Sequence, residues 1–369
     1  MIPVNRPLLG GNEQKYLTEC IETGWISSEG PFVRKLESGF AQLMGCAHGV
    51  AVSNGSAAIE LALAALRIGP GDEVILPTFT IISCAAAIVR AGAVPVVVDC
   101  QADTWNLDPD QLASKVTSRT KAIMVVHIYG LPVDMDPVLD LARRHDLFVI
   151  EDAAEQHGQT YKGRRVGSLG DIATVSFYPN KQVTTGEGGM VLTNDPALAD
   201  RARSLRNLCF DRERRYVHDE LGWNFRMSNL QAAVGVAQLE RIDVILAKKR
   251  QIGSWYQERL RGASRLCLPL ERTAYADNSY WVFGVVLDDQ VPFDAIEAMA
   301  RLKSKGVDSR HFFWPMHEQP VLRKRGLFVN ERCPNAERIA RRGFYLPSGV
   351  GLTEDEADVC ALALREILS

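Results

Sequence analysis

The strongest constraint on the fold of this 369-residue chain is a succession of short, continuous apolar runs separated by stretches of helical periodicity. Glu73-Val74-Ile75-Leu76 follows the turn Gly69-Pro70-Gly71-Asp72, and Val94 to Val98 follows a helical stretch ending near Gly92. Ala122 to Val126 and Leu147 to Ile150 come next. Runs rich in β-branched residues, without polar alternation, are what strands buried on both faces look like. Interleaved with helices, they predict an α/β fold with a mainly parallel, doubly wound sheet. The segment Asp171 to Asn194 breaks this rhythm, because Ile172 to Tyr178 and Met190 to Thr193 are joined by a Gly-rich loop without room for a helix. From about Ser228 a helical pattern (Leu230, Val234, Val236, Leu239, Ile242, Ile245) leads away from the sheet. Strand-like Trp281 to Leu287, a helix from Phe293 to Lys305 and a closing helix after Leu352 follow. The expected division is a large domain of residues 1–245 and a smaller C-terminal α+β domain of residues 246–369, in line with about 150 residues per domain.

Composition serves mainly to exclude. Lys plus Arg is 42 and Asp plus Glu is 45, a net charge of -3. That balance argues against a basic nucleic-acid binder and against an acidic disordered chain. The eight cysteines form no CxxC pair and no Cys/His cluster at zinc spacing, so they read as reduced thiols, and no metal site is expected. The start has no apolar signal core. Arg90 interrupts the most apolar region and Asp99 closes it, so no membrane span is expected and the chain reads as soluble and cytoplasmic. The phosphate loop GxxxxGK(S/T), the GxGxxG fingerprint, the GxSxG elbow and HExxH are all absent.

Three polar constellations remain. Ser53-Asn54-Gly55-Ser56-Ala57-Ala58 opens the helix Ile59 to Leu66. Gly55 permits close backbone approach, Ser56 offers a hydroxyl, and free helix-start amides attract an anion; a plain N-cap is the competing reading. Ile150-Glu151-Asp152-Ala153-Ala154-Glu155 places carboxylates at a strand end, where open α/β sheets bind ligands. There an acid either holds a cationic ring nitrogen or merely caps a helix. In Ser176-Phe177-Tyr178-Pro179-Asn180-Lys181, followed by Thr184-Thr185-Gly186-Glu187-Gly188-Gly189, a lysine ends an apolar strand ahead of a glycine loop. Partly desolvated, such a lysine loses its proton readily and forms an imine with an aldehyde; a solvated strand-end lysine is the alternative. Together, a helix start for phosphate, a strand-end Asp for a pyridine nitrogen and a later strand-end Lys satisfy what pyridoxal phosphate requires.

The run Glu151-Asp152-Ala153-Ala154-Glu155, Gly167-Ser168-Leu169-Gly170-Asp171, Ser176-Phe177, Lys181 and Gly186-Glu187-Gly188-Gly189 strongly resembles the DegT/DnrJ/EryC1/StrS family. These are fold-type-I pyridoxal-phosphate aminotransferases acting on nucleotide-linked keto-sugars, and the resemblance runs from Gly24-Trp25 to His317-Glu318-Gln319-Pro320. Asn180 to Met190 and Phe312 to Pro320 are similar to the perosamine-forming branch, which aminates C4 of GDP-4-keto-6-deoxymannose with glutamate. The resemblance implies that Lys181 carries the cofactor imine and the proton, that Asp152 pairs with the ring nitrogen, and that Ser56, Ala57 and Ser176 hold the phosphate beside Gly55. Asn224, in Leu221-Gly222-Trp223-Asn224-Phe225-Arg226-Met227, matches the residue that reaches the phosphate across a dimer interface, implying a homodimer with a shared active site. Glu155 stands where many members have a Gln contacting the ring hydroxyl; perosamine-type members also show Glu there, which favours that branch. Many relatives stack an aromatic on the ring at the place of Ile81; here Ile81 packs there, Phe79 serves instead, or both belong to the core.

Further residues carry two readings each. His317 contacts substrate or is a surface histidine, and His127 lies near the ligand edge or in the core. Arg226 and Arg310 hold an anionic group such as the donor carboxylate, or form structural ion pairs. The basic run Arg212 to Arg215 is a solvated loop or meets sugar-nucleotide phosphates. The expected activity is amino transfer from L-glutamate to a nucleotide-linked 4-keto-6-deoxy sugar. The alternatives are a UDP- or dTDP-linked keto-sugar, a sugar dehydratase, which Lys181 disfavours, and a non-catalytic binding or regulatory protein.

Overall fold

The computed structural model describes residues 1–211 and 213–368. The chain enters its main sheet with β1 (His48–Val52), β2 (Glu73–Pro77), β3 (Val94–Val98), β4 (Thr120–Val126) and β5 (Phe148–Asp152). A small hairpin, β6 (Thr160–Tyr161) and β7 (Arg164–Arg165), precedes β8 (Ile172–Ser176) and β9 (Gly189–Thr193). The seven-stranded order is β1-β9-β8-β5-β4-β2-β3. The pairs β3/β2, β2/β4, β4/β5 and β5/β8 are parallel, whereas β9 is antiparallel to both β8 and β1. Parallel neighbours need a long crossover; the glycine loop after β8 has no helix to supply one, so the chain returns antiparallel.

The continuous apolar runs are explained by the two faces. Val74 and Leu76 of β2 belong to one core, with the helices Gly55–Ala65 and Ile82–Arg90, while Ile75 belongs to the opposite core, with Pro31–Leu43 and Asn229–Leu239. The edge strand β1 was not apparent from the sequence. Its Gly49 obscures the strand signal, and it is needed there, since a Cβ would sit 2.7 Å from both the Glu37 carbonyl oxygen and Met190 Sδ.

The helical pattern after Ser228 is two helices. Asn229–Leu239 starts at a capping box of Ser228 and Gln231, and Ile242–Leu260 follows after a break at Glu240 and Arg241. The expected division near residue 245 therefore falls inside a continuous helix. Beyond it, β10 (Leu266–Cys267), β11 (Phe283–Leu287), β12 (Arg310–His311) and β13 (Gly343–Leu346) form an antiparallel sheet ordered β10-β11-β13-β12. The helices Ile242–Leu260, Ala295–Ser304 and Glu354–Leu368 cover it through Tyr256, Leu302 and Leu364. The chain's first residues join this second unit: Ile2 pairs with Val307, and Val4 accepts a backbone bond from Ser348 (3.0 Å). Among the described residues no helix is long and apolar enough to cross a membrane. A cavity lies between the carboxyl ends of β4, β5 and β8 and Trp281, just before β11, together with residues of β12 and β13.

Candidate active site

The cavity, about 840 Å³ in volume, begins at the helix that follows β1. Asn54 caps the helix Gly55–Ala65, its Oδ1 accepting from the Ala57 amide at 2.8 Å. Gly55 and Ser56 line the cavity together with Ser176 from the end of β8. Only glycine allows this approach, because a Cβ on Gly55 would stand 2.8 Å from Ser176 Cβ. The amides of a first turn lack intrahelical acceptors and, with the helix dipole, attract anions. Ala57, expected among the phosphate-holding residues, is buried and its amide is engaged by the cap, so it does not face the cavity. Ser83, which no sequence signal marked, does: its Oγ is 2.8 Å from Ser56 Oγ.

Asp152 ends β5 with both carboxylate oxygens fixed. Oδ1 accepts from the Ala154 amide (3.1 Å) and Oδ2 from Cys84 Sγ (3.3 Å). Burial pushes Asp152 up from its ordinary value, while the two donors and the Lys181 charge oppose this. Its neighbour Glu151 points to the other side. Oε1 accepts from Leu169 and Gly170 (both 2.7 Å), and Oε2 accepts from Gly167 (2.9 Å) and lies 3.2 Å from His127 Nε2. Burial alone would raise Glu151; His127 and the loop amides outweigh it and leave the carboxylate below its usual range. The Gly167–Gly170 motif is thus a backbone clamp around a buried carboxylate. His127 is core, with Nδ1 accepting from the Val133 amide at 3.0 Å, which leaves Nε2 as the donor to Glu151.

Lys181 lies past β8, its side chain 11% exposed. Its Nζ is 3.6 Å from Glu155 Oε1 and 3.8 Å from the centre of the Trp281 ring. Burial lowers the lysine's proton affinity, and the Glu155 and Asp152 charges pull it back up. Burial raises Glu155, against the opposing pull of Lys181 and the Tyr129 amide, which donates to Oε2 at 2.7 Å. Behind them His157 packs on Phe40 and Phe177 and is pushed down to about 3 by burial, so it stays neutral.

Ile81 lines the cavity and is 40% exposed, whereas Phe79 is fully buried among Tyr129, Phe312 and Phe313. Of the two, Ile81 is the one that faces the site. Arg310 also lines the cavity, on the second-sheet side with Trp281, Phe313 and Tyr345. Trp281 read in the sequence only as the start of a strand, and no local signal marked Tyr345; only the packing of the second sheet against the first brings them here.

Three expected site residues lie elsewhere. His317 is fully buried, its Nδ1 2.8 Å from Thr78 Oγ1 and its Nε2 3.0 Å from Glu337 Oε1, so neither nitrogen is left for a substrate. Its ligand atoms cluster with those of Glu318 and Glu337 within 4.8 Å, but Glu318 is paired with Arg341 at 2.8 Å. Arg226 borders a separate cavity of about 250 Å³ with Arg203, Arg206 and Asn207. Asn224, exposed, accepts from Arg226 Nε at 2.9 Å and bridges to Asn207, outside this chain's cavity. Of the basic run, Arg212 lies outside the described residues, and Arg214 and Arg215 are exposed.

Residues 7–365 match the profile of the DegT/DnrJ/EryC1/StrS aminotransferase family. The GDP-perosamine synthase of Caulobacter vibrioides is 44% identical over 368 residues, covering 100% of this chain and 98% of that protein. That of Vibrio cholerae is 39% identical over 364 residues, covering 98% and 97%. The crystal structure of the aminotransferase TlmJ from Streptoalloteichus hindustanus superimposes with a TM-score of 0.92 at 31% identity, covering 99% of this chain and 98% of that one. With its mainly parallel sheet, and with Asp152, Lys181 and the helix start at Gly55 and Ser56 opening into one cavity, the chain belongs to the DegT/DnrJ/EryC1/StrS family and is a pyridoxal-phosphate-dependent aminotransferase.

Proposed function

We propose that this chain transfers the amino group of L-glutamate to C4 of a nucleotide-linked 4-keto-6-deoxy sugar, GDP-4-keto-6-deoxymannose, and that Lys181 is the residue that receives pyridoxal phosphate. The observation that carries the reading is that Lys181, Asp152 and the helix start at Gly55 and Ser56 open into one cavity of about 840 Å³. Each demand of the cofactor finds a residue of the right chemistry there. The volume is at the upper end of the about 300–1,000 Å³ usual for small-molecule sites, room for a cofactor and a sugar. The choice of sugar nucleotide rests on the two relatives named GDP-perosamine synthase.

Bound pyridoxal phosphate supplies an electron-accepting ring and a carbonyl that exchanges amino groups. The chain supplies the rest. Asp152, its oxygens held by the Ala154 amide and the Cys84 thiol, would pair with a protonated ring nitrogen. Gly55, Ser56 and Ser176 would hold the phosphate, Ile81 would pack on a ring face, and Glu155 would lie by the ring hydroxyl. Lys181 moves the proton: burial favours its neutral amine as acceptor, and Glu155 steadies the ammonium before it donates. Arg310 would pair with an anionic group of the substrate or donor. Asn224, lying outside its own cavity, would complete the site of a second copy, making the enzyme a homodimer. A soluble activated sugar as substrate fits work in the cytoplasm.

Incubation with glutamate and a panel of GDP-, UDP- and dTDP-linked keto-sugars, read by product mass, tests the reading. Amination of the GDP sugar is expected; amination only of UDP or dTDP sugars would remove the GDP assignment and leave transamination standing. Lys181→Ala should lose covalent attachment of the cofactor and steady turnover. Mixing inactive Lys181→Ala and Asn224→Ala subunits should restore part of the activity if sites are shared, and none if they are not.

A further inference from the structure

Trp281 makes two independent contacts with the lysine segment. It stands just before β11, in the second unit, and its indole Nε1 donates to the Asn180 carbonyl at 2.8 Å, which fixes both the indole plane and the backbone next to Lys181. The face so oriented lies 3.8 Å from Lys181 Nζ, with Glu155 Oε1 at 3.6 Å from the same nitrogen. An indole is the strongest aromatic partner for a cation, and the attraction grows where water is excluded. The indole ring is itself held by Tyr129 and Tyr345.

We infer that Trp281 is a positioning residue for Lys181: its indole face and the Glu155 carboxylate together form the resting place of the proton-bearing ammonium whenever the lysine is not joined to the cofactor. The inference rests on Lys181 being the cofactor lysine. The place is built to hold a charge without surrendering it to water. It keeps the nitrogen near the cavity while the proton waits to be delivered, and because the indole belongs to the second unit, it links the placement of that unit to the proton affinity of the lysine. The other titratable and charged groups that line the cavity or pack against this place are Asp152, Tyr129, His157, Tyr178, Glu187, Arg90, Arg310, His311 and Tyr345.

Site-specific replacement of Trp281 by a series of increasingly fluorinated tryptophans tests this, because fluorine drains the ring face while keeping its shape and its N–H. The readout is the rate at which the apoprotein captures pyridoxal phosphate at Lys181, trapped with borohydride and read by peptide mass across pH. Capture needs the neutral amine, so weakening the ammonium's partner moves the midpoint of the profile down. A stepwise fall totalling about one pH unit is expected. A flat or rising series would overturn the inference, since a purely packing role for Trp281 leaves the midpoint unmoved. Trp281→Phe, with a weaker face and no N–H, should show an intermediate fall. Persistent capture in Lys181→Ala would instead sink the assignment of the cofactor lysine, which keeps the two failures apart.

Discussion

The hydrogen bond from Cys84 to Asp152 gives a small side chain a role that its sequence context does not announce. Burial pushes the Cys84 thiol well above its ordinary value, so it remains a donor at any working pH. Cys84→Ala removes that donor from a carboxylate already strained by burial. Affinity for pyridoxal phosphate should fall about fivefold, the effect of roughly 1 kcal/mol. Cys84→Ser, whose hydroxyl also donates, should recover most of it; fluorescence titration of apoprotein measures both, and equal losses in the two variants would contradict the assignment. His317 shows the opposite lesson. Its chain neighbours suggested a loop near substrate, but its partners Thr78 and Glu337 lie 239 and 20 residues away, so its burial was not readable locally. His317→Ala removes the buried imidazole and leaves the Thr78 hydroxyl and the Glu337 carboxylate only the backbone amides of residue 317 and Cys333. It should cost about 3 kcal/mol in urea unfolding with KM for both substrates unchanged; a raised KM at normal stability would restore a substrate role.

Elements, more than single residues, decide where the proposed phosphate site lies. The helix Gly55–Ala65 is seated on β8 and β9, and the seating is tight at two points: Gly55 against Ser176, and Gly189, where a Cβ would meet the Asn54 carbonyl oxygen at 2.5 Å. Gly55→Ala should push the helix start off β8 and weaken pyridoxal-phosphate binding tenfold or more, with a stability loss of about 1–3 kcal/mol from overpacking. Equilibrium dialysis beside thermal unfolding separates the two effects, and unchanged affinity would show that the helix start does not bear the phosphate. This scale was the most legible in sequence. Runs buried on both faces lack polar alternation, so β2 to β5 and the helix-less link before β9 could be read directly, and with them the strand-end position of Asp152 and the place of Lys181 just past β8. What stayed hidden depends on distant packing: the edge strand β1, the break at Glu240 and Arg241, and the arrival of Trp281 and Tyr345 from the second sheet.

At the scale of the whole molecule, the helix Ile242–Leu260 ties the two units together, and one of its residues makes that tie sensitive to pH. Lys249 is 3% exposed and its Nζ donates to the Ser348 carbonyl, in the turn after β13, where Tyr256 also binds the Pro347 carbonyl at 2.8 Å. Burial pushes Lys249 down from 10.5 to about 7. The unfolded chain therefore binds this proton below about pH 10.5 and the folded chain only below about pH 7. Between those limits the unfolded state holds more protons, so stability rises with pH across the window, and the full penalty is present at and below its lower end. That penalty is on the order of 4 kcal/mol. Lys249→Met abolishes it but orphans the Ser348 carbonyl, a cost of about 2 kcal/mol. The variant should be more stable than the wild type by about 2 kcal/mol at pH 7, as that difference gives. The advantage should shrink as pH rises and reverse at about pH 9, where the remaining penalty has fallen to about 2 kcal/mol; only above about pH 10.5 is the wild-type lysine mostly neutral in both states. Chemical unfolding of both proteins over this range checks the sign directly: parallel stability curves would mean that Lys249 keeps its proton in the folded protein, and that the junction between the units is wetter than its burial implies.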